Sequence, residues 1–275
     1  MSHHENKRGS GASDKEPRIL TVDLQTKFGR VRGNLALPPG EMRLAEFAWN
    51  AMVLDEKLIH LAVTSEARQG RQVSCRKGCG ACCRQAVPVS PPEAWMLRDL
   101  IASFAPDRRA TVLQRFAQIR QRLEQEGFGQ RSLPTSAGKE QVQALGLDYF
   151  RLGLPCPFLE DESCSIHPQR PSSCREYLVT SPAAFCVDPG LNPVRPVPLA
   201  AGLTEALSRL TAVLLGGDPQ VIPLVLALDW AEDHREEGQL RYDAAALLTL
   251  LVQILAIQGR DGDQPSPGLA TSGDS

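Results

Sequence analysis

The chain has no cysteine before residue 75 and none after residue 186. It also lacks a long hydrophobic run. The longest, Ala244 to Ile257, is interrupted by Thr249 and Gln253 and is too short to span a bilayer. The first seventeen residues carry no apolar stretch of the kind a secretory signal needs. Neither sign of charge dominates: net charge is −2 and the sequence pI is about 6.2, so no global basic field points to nucleic acid. There is no phosphate-binding glycine loop, no His-Glu-x-x-His, no recognisable Ser/His/Asp arrangement and no internal repeat. These absences set aside membrane insertion, nucleic-acid binding and the common nucleotide-dependent and hydrolytic mechanisms. The expected setting is cytoplasmic, where thiols stay reduced and serve metal ligation or redox chemistry more than structural disulfides.

What is present is mostly helix. Residues 1–17 and 259–275 are polar and read as disordered tails; His3 and His4 in the first are incidental. Residues 18–258 read as a single, mainly α domain, with helices packed around a central irregular cysteine-rich metal-binding loop region at 75–186. Ile19 to Leu37 suggests a short N-terminal β-hairpin turning near Gly29. A helix is expected from about Glu41 to Arg68, because Leu44, Phe47, Met52, Leu58 and Leu61 share one face. Ser90-Pro91-Pro92-Glu93 has capping-box spacing with proline at the first helical position, and opens a helix to about Phe104. Another runs from Asp107 to Glu126, where Val112, Phe116, Ile119 and Leu123 form a buried stripe. Its opposite face carries Arg108, Arg115 and Arg122 and reads as solvated. Residues 127–150 read as loop with one short helix. The C-terminal third predicts helices over Leu199–Leu215 and from Asp218 to about Arg235. A last one, capped by Asp243 and ending near Gly259, should be a central packed helix or part of a subunit interface.

Eight cysteines fall into two segments. The first is Cys75-Arg-Lys-Gly-Cys79-Gly-Ala-Cys82-Cys83. The second holds Cys156, Cys164 and Cys174, with Cys186 trailing. Core-filling cysteines would be scattered; thiols this close, with glycines between them, suit convergence on a metal. Gly78 and Gly80 permit the loop to curl and reach φ > 0, and a bent backbone offers N–H groups to the sulfurs. Arg76, Lys77, Arg84, Arg170 and Arg175 would offset thiolate charge. Proline at 155, 157, 168, 171 and 182 excludes long regular structure from the second segment. His167, three residues after Cys164, is expected to pack beside the thiols rather than ligate; His60 and His234 read as helix fillers, and Glu160, Asp161 and Glu162 as an exposed turn. Cys75-x3-Cys79-x2-Cys82 also equals the spacing of radical S-adenosylmethionine enzymes, which normally follows a first strand of a β/α barrel. Here helix and proline follow instead.

The run Cys-Arg-Lys-Gly-Cys-Gly-Ala-Cys-Cys-Arg at 75–84, together with Cys156-Pro-Phe-Leu, Cys164-Ser-Ile-His-Pro-Gln-Arg-Pro-Ser-Ser-Cys174-Arg and Cys186, resembles the CxxCxxCC cysteine-cluster family (YkgJ-like), described as zinc- or iron-chelating. All eight family cysteines have counterparts in order, with an x3 gap after Cys75 where the family name has x2. The resemblance implies zinc or an iron–sulfur cluster as cofactor, with Cys75, Cys79, Cys82, Cys83, Cys156, Cys164, Cys174 and Cys186 as metal ligands. A related arrangement occurs in a flagellin lysine N-methylase, which makes protein modification one chemistry to weigh.

Zinc favours paired C-x2-C sites closed by four ligands. The bunching at 75–83 is more typical of iron–sulfur ligation, [4Fe–4S] in particular. Neither segment alone offers four evenly placed donors, so the two should fold over each other and share ligands. Three functions fit. A redox or protein-modifying enzyme would act on a protein substrate or partner and show a visible chromophore. A zinc-stabilised binding module would be closed and colourless. A metal-handling protein would hold its ion loosely.

Overall fold

Alternation of apolar and polar residues builds the N-terminal ribbon of the computed structural model, which describes residues 16–128 and 139–261. Strands β1 (Arg18–Thr26) and β2 (Gly29–Leu37) pair antiparallel from Arg18↔Leu37 to Thr26↔Gly29. Val22, Leu24, Val31, Leu35 and Leu37 turn to the core, as period-two patterning requires. The expected hairpin is therefore present.

The next helix starts later than expected. Glu41–Arg43 is a strand, β3, antiparallel to Arg241–Asp243, and α1 covers Leu44–Arg68. α1 buries Phe47, Ala48, Ala51, Met52, Leu54, Leu58 and Ala62, each large side chain contributing roughly 1.5–3 kcal/mol by leaving water. After the first cysteine segment come β4 (Pro88–Val89), α2 (Pro91–Ala102) and α3 (Pro106–Gln125). The capping box at Ser90 and Glu93 forms as expected, the Ser90 N–H donating to Glu93 Oε2 at 2.9 Å. Val112, Phe116, Ile119 and Leu123 are the buried stripe of α3.

Helix α4 (Lys139–Arg151) ends just before the second cysteine segment, which holds β5 (Leu159–Glu160), β6 (Ser163–Cys164) and the one-turn α5 (Ser172–Glu176). Then come α6 (Leu203–Leu215), β7 (Ile222–Pro223), α7 (Ala227–Asp233), β8 (Arg241–Asp243) and α8 (Ala244–Asp261). Two expectations fail in this third. α6 begins at Leu203 rather than Leu199, because a buried carboxylate accepts the Leu203 N–H and fixes the helix start there (Glu176 Oε1, 2.5 Å). The expected 218–235 helix is shortened to α7. Pro223 disfavours helix at the residue before it, and Ile222–Pro223 pairs with β4 instead. Asp243 does cap α8, its Oδ1 accepting from the Ala246 N–H at 2.9 Å. α8 packs between α6 and β1, with Leu247, Leu251 and Leu255 fully inside.

One main apolar core joins β1, β2, α1, α2, α6 and α8, and it includes Phe158 and Ile166 from the second cysteine segment. That segment is thus anchored in the helical body rather than hung from it. The β3–β8 and β4–β7 pairs tie the chain on either side of the cysteines to the C-terminal third. Mainly α is the correct class: among the described residues there are eight α-helices, and every sheet is a two-stranded antiparallel pair. The β/α barrel that normally carries the radical-enzyme spacing is not among them. No described helix is long and apolar enough to cross a membrane. His3 and His4, nearly all of both expected tails and residues 129–138, within the stretch expected to be mostly loop, lie outside the described residues.

Candidate metal centre

The first cysteine segment leaves α1 and turns at Gly78, whose φ of 82° lies in the left-handed region. It then forms a 3₁₀ turn, Ala81–Arg84, that carries Cys82 and Cys83. Gly80 has an ordinary backbone conformation, contrary to the φ > 0 expected for both glycines. It is needed for proximity: a Cβ there would lie 2.9 Å from Leu159 Cδ1 and 3.2 Å from Glu162 Cα. The two segments press together at this glycine. Gly80→Ala should therefore push β5–β6 away, lowering stability by about 1–3 kcal/mol and weakening metal retention. A urea midpoint and metal content equal to those of the natural protein would count against this.

The second segment wraps the first. The Cys156 N–H donates to the Cys83 carbonyl at 2.7 Å. Asp161 and Glu162, both at positive φ, form the two-residue turn of the β5–β6 hairpin, the mirror-image type that matches strand twist. Cys164 stands opposite Leu159 in that hairpin, Cys174 lies on α5, and Cys186 on a 3₁₀ turn, Ala183–Val187. That turn packs against the 81–84 turn. Ser74 donates its N–H to the Val179 carbonyl at 2.9 Å, closing the outer side.

The result is a cavity of about 440 Å³ walled by Cys79, Cys82, Cys83, Cys156, Cys164 and Cys174. Phe158, Leu224 and Tyr177 add apolar surface, and Arg170 and His167 add polar groups. Arg76, Lys77, His167 and Pro168 also line it and are exposed, so it reaches solvent between the two segments. Cys75 and Cys186 stand outside this lining, Cys75 exposed and Cys186 buried beside Val179 and Val194. All eight cysteines are free thiols. Among the described residues, no three His, Cys, Asp or Glu donors already stand as close as a metal would draw them. The sulfurs encircle a space rather than a point. The donor set nevertheless fits a thiophilic metal: the sulfurs of both segments share one region, and its cations face them.

Electrostatics favour protons on most of these sulfurs. Burial pushes the Cys156 thiol up to about 12 and Cys186 to about 11, and raises Cys75, Cys164 and Cys174. Cys174 keeps some surface toward the cavity, yet protein surrounds it closely enough for desolvation to dominate. Cys82 is the exception. It accepts a hydrogen bond from the Cys83 thiol, feels Arg170, and falls to about 7, while Cys83 as donor is pushed up. Backbone N–H groups assist as expected: Cys82 has its own, and others come from the second segment. Val179 donates to Cys75 Sγ at 3.4 Å, Phe158 to Cys156 and Ile166 to Cys164. A bound cation would outweigh burial, because it is the largest local charge in such a site and deprotonates its thiols.

The surrounding arginines add to an expectation. Arg108 and Arg122 are exposed, as expected of that face of α3, yet Arg108 also donates to the Ser165 carbonyl at 3.0 Å, and the half-buried Arg115 to the Pro157 carbonyl and Glu160 at 3.1 and 2.8 Å. The basic face of α3 holds the second segment in place. Arg84 pairs with Glu162 at 2.6 Å, joining the two segments, and Arg175 pairs with Glu56 at 3.1 Å. His234 stacks on Trp230, His60 lines a small surface hollow beside Arg170, and His167 sits at the cavity wall. What sequence reasoning missed is that Asp55, the capping-box residue Glu93 and Glu176 of α5 are buried carboxylates that act on one another. Asp55 was legible in principle, since it falls on the apolar stripe of α1 between Ala51, Met52 and Leu58.

Two cysteine-bearing loops close over one thiol-lined cavity, which makes this region the candidate metal centre of the chain. Residues 74–189 match the CxxCxxCC family model, described as "Putative zinc- or iron-chelating domain". The match leaves out α1 and the C-terminal helices. No curated protein and no solved structure matches the chain.

Proposed function

We propose that this chain is an iron–sulfur protein, with Cys75, Cys79, Cys82, Cys83, Cys156, Cys164, Cys174 and Cys186 as its metal ligands. The observation that carries the reading is the six-thiol lining shared by both segments. All the donors are soft, which suits iron–sulfur or zinc over magnesium or calcium. Three features favour iron–sulfur over a single zinc: the bunched cysteines at 75–83, the backbone N–H donors to sulfur, and a cavity roomier than one ion needs. A cluster held there supplies electron transfer, or Lewis acidity at an open iron. The protein would supply desolvation, the N–H donors and the Arg170 charge. The exposed wall at Arg76, Lys77 and His167 gives a partner access, which supports a redox or protein-modifying role (methylase-like by resemblance) on a protein substrate.

A second reading, a zinc-stabilised binding module, is favoured by the firm anchoring of the second segment through Phe158, Ile166 and the α3 arginines. Anaerobic purification with iron, zinc and acid-labile sulfide analysis and a visible spectrum tests both. Iron with matching sulfide and broad visible absorption is the expected result. Colourless protein holding only zinc supports the second reading, and protein that retains neither metal overturns both.

A further inference from the structure

We infer that the thiol-lined cavity is also a binding site for a small organic carboxylate, held at its charged end by Arg170 and Ser165 and along its body by the apolar part of the wall. The inference deepens the metal reading above by giving the same cavity a ligand class. It rests on that reading only for the metal beside which the ligand would lie.

The site begins with two buried polar atoms that the protein leaves unmatched. Arg170 Nε and Ser165 Oγ are shielded from solvent and have no hydrogen-bond partner among the described residues. Nearly all buried donors in folded proteins are paired, and one on a charged group is the costliest to leave alone. Both residues line the cavity. The arginines that brace the second segment do have protein acceptors. Arg84 grips Glu162 at 2.6 and 3.0 Å, Arg108 and Arg115 hold carbonyls of the segment, and Arg175 donates to the Pro168 and Arg170 carbonyls at 2.5 and 3.1 Å. Glu162 is the one carboxylate in the cavity lining, so nothing acidic in that wall is left for Arg170. The unused Nε edge of a guanidinium is the edge that takes a carboxylate by two parallel hydrogen bonds.

These groups are held ready. The strip from Ser165 to Arg170 is fixed at both ends. The Ser165 N–H donates to the Phe158 carbonyl at 2.8 Å, the Ser165 carbonyl accepts from Arg108, and Arg175 holds the other end. Donors on so fixed a strip need little ordering when a ligand arrives, which favours affinity. The same wall carries Val87, Phe158, Ile166 and Leu224, which suit an aliphatic or aromatic body. The cavity volume, about 440 Å³, falls within the roughly 300–1,000 Å³ of small-molecule sites. Arg76 and Lys77, exposed where the cavity reaches solvent, attract an anion on its way in. A carboxylate suits the site better than phosphate, because one guanidinium edge and one hydroxyl match two oxygens, whereas phosphate brings further oxygens to a largely apolar wall. Metal-bound thiolates draw on the charge of Arg170 alone. A carboxylate draws on its planar fork as well, and Arg170→Lys separates the two.

The test uses the anaerobically purified full chain, with metal measured on every sample. Butyrate, benzoate and 4-phenylbutyrate are titrated by calorimetry beside their amides, which keep each body and remove the charge, and beside inorganic phosphate. At least one of these carboxylates should bind roughly tenfold tighter than its amide, and tighter than phosphate. Arg170→Lys should keep the metal and lose roughly tenfold in that affinity, and Ser165→Ala should lose roughly threefold. Four results would each overturn the inference: no binding by any of the carboxylates, equal binding of acid and amide, tighter binding of phosphate, or an unchanged affinity in Arg170→Lys. If the same samples hold metal, the metal reading stands regardless. Selective carboxylate binding by a chain that retains no metal would do the reverse, upholding the site and defeating the metal reading. Where Arg170→Lys fails to fold, the acid and amide comparison on the natural protein decides.

Discussion

Replacing Glu93 with alanine is expected to lower the unfolding free energy by about 3–5 kcal/mol, the cost of breaking a buried charge-assisted network. Glu93 is fully buried and accepts four hydrogen bonds: from the Ser90 N–H and hydroxyl at 2.9 and 2.7 Å, and from the Ser172 N–H and hydroxyl at 2.7 and 2.5 Å. One carboxylate therefore serves the first turns of both α2 and α5. The Ser172 hydroxyl continues to Thr204 at 2.7 Å, which brings in α6. Truncation strands two backbone N–H groups that water does not reach, and each unsatisfied donor costs about 1–3 kcal/mol. Ser172→Ala, which leaves the backbone bond in place, should cost only about 1 kcal/mol. Urea midpoints at unchanged m-value measure both. Because α5 carries Cys174, Glu93→Ala should also bind metal less tightly. A Glu93→Ala midpoint no lower than that of Ser172→Ala would refute the network.

Local signals were legible and distant ones were not. The capping box at Ser90 and the Asp243 cap depend on residues within three positions, so the sequence pattern contains all the information. The α3 stripe is likewise local. Strand β3 is not: Glu41–Arg43 is extended because its partner lies some two hundred residues away, and nothing in its own composition opposes helix. α6 starts at Leu203 because Glu176 reaches its N–H from another helix. Asp218-Pro219 looked like a helix start, but Pro223 and the β4 edge claimed the chain first.

The cysteines announced the site through their clustering, and the structure brings both segments to one place. Periodicity placed Arg108 and Arg115 away from the α3 stripe, yet periodicity cannot say whether water or a loop covers that face. The signal for a loop lay elsewhere, in a proline-rich segment with few N–H groups of its own and many carbonyls needing donors. Arginine side chains supply them at Pro157, Ser165 and Pro168. The family pattern ends at the cysteines, so it carried no hint of these supports.

Asp55→Asn is expected to raise stability at pH 8 by about 1–3 kcal/mol, the cost of a buried polar atom left without a hydrogen-bond partner, and to leave it nearly unchanged at pH 5. Asp55 and Glu176 are both buried, and with both ionised neither can donate: Asp55 Oδ1, Asp55 Oδ2 and Glu176 Oε2 would have no partner. A proton held between them supplies one. Burial raises both carboxyls, with Glu93 nearby adding to the repulsion. Glu176 reaches about 7 even though it accepts the Leu203 and Thr204 N–H groups, and Asp55 is raised despite Arg175. Between the ordinary carboxyl range and these raised values, the native state holds a proton that the unfolded chain has lost. Stability therefore falls as pH rises through that window and is fully present only below it. An asparagine amide donates to Glu176 without needing the proton and removes one of the two charges, so the slope between pH 5 and 8 should flatten. Urea midpoints of both proteins across that range give the answer. Parallel profiles would mean that Asp55 and Glu176 do not share a proton.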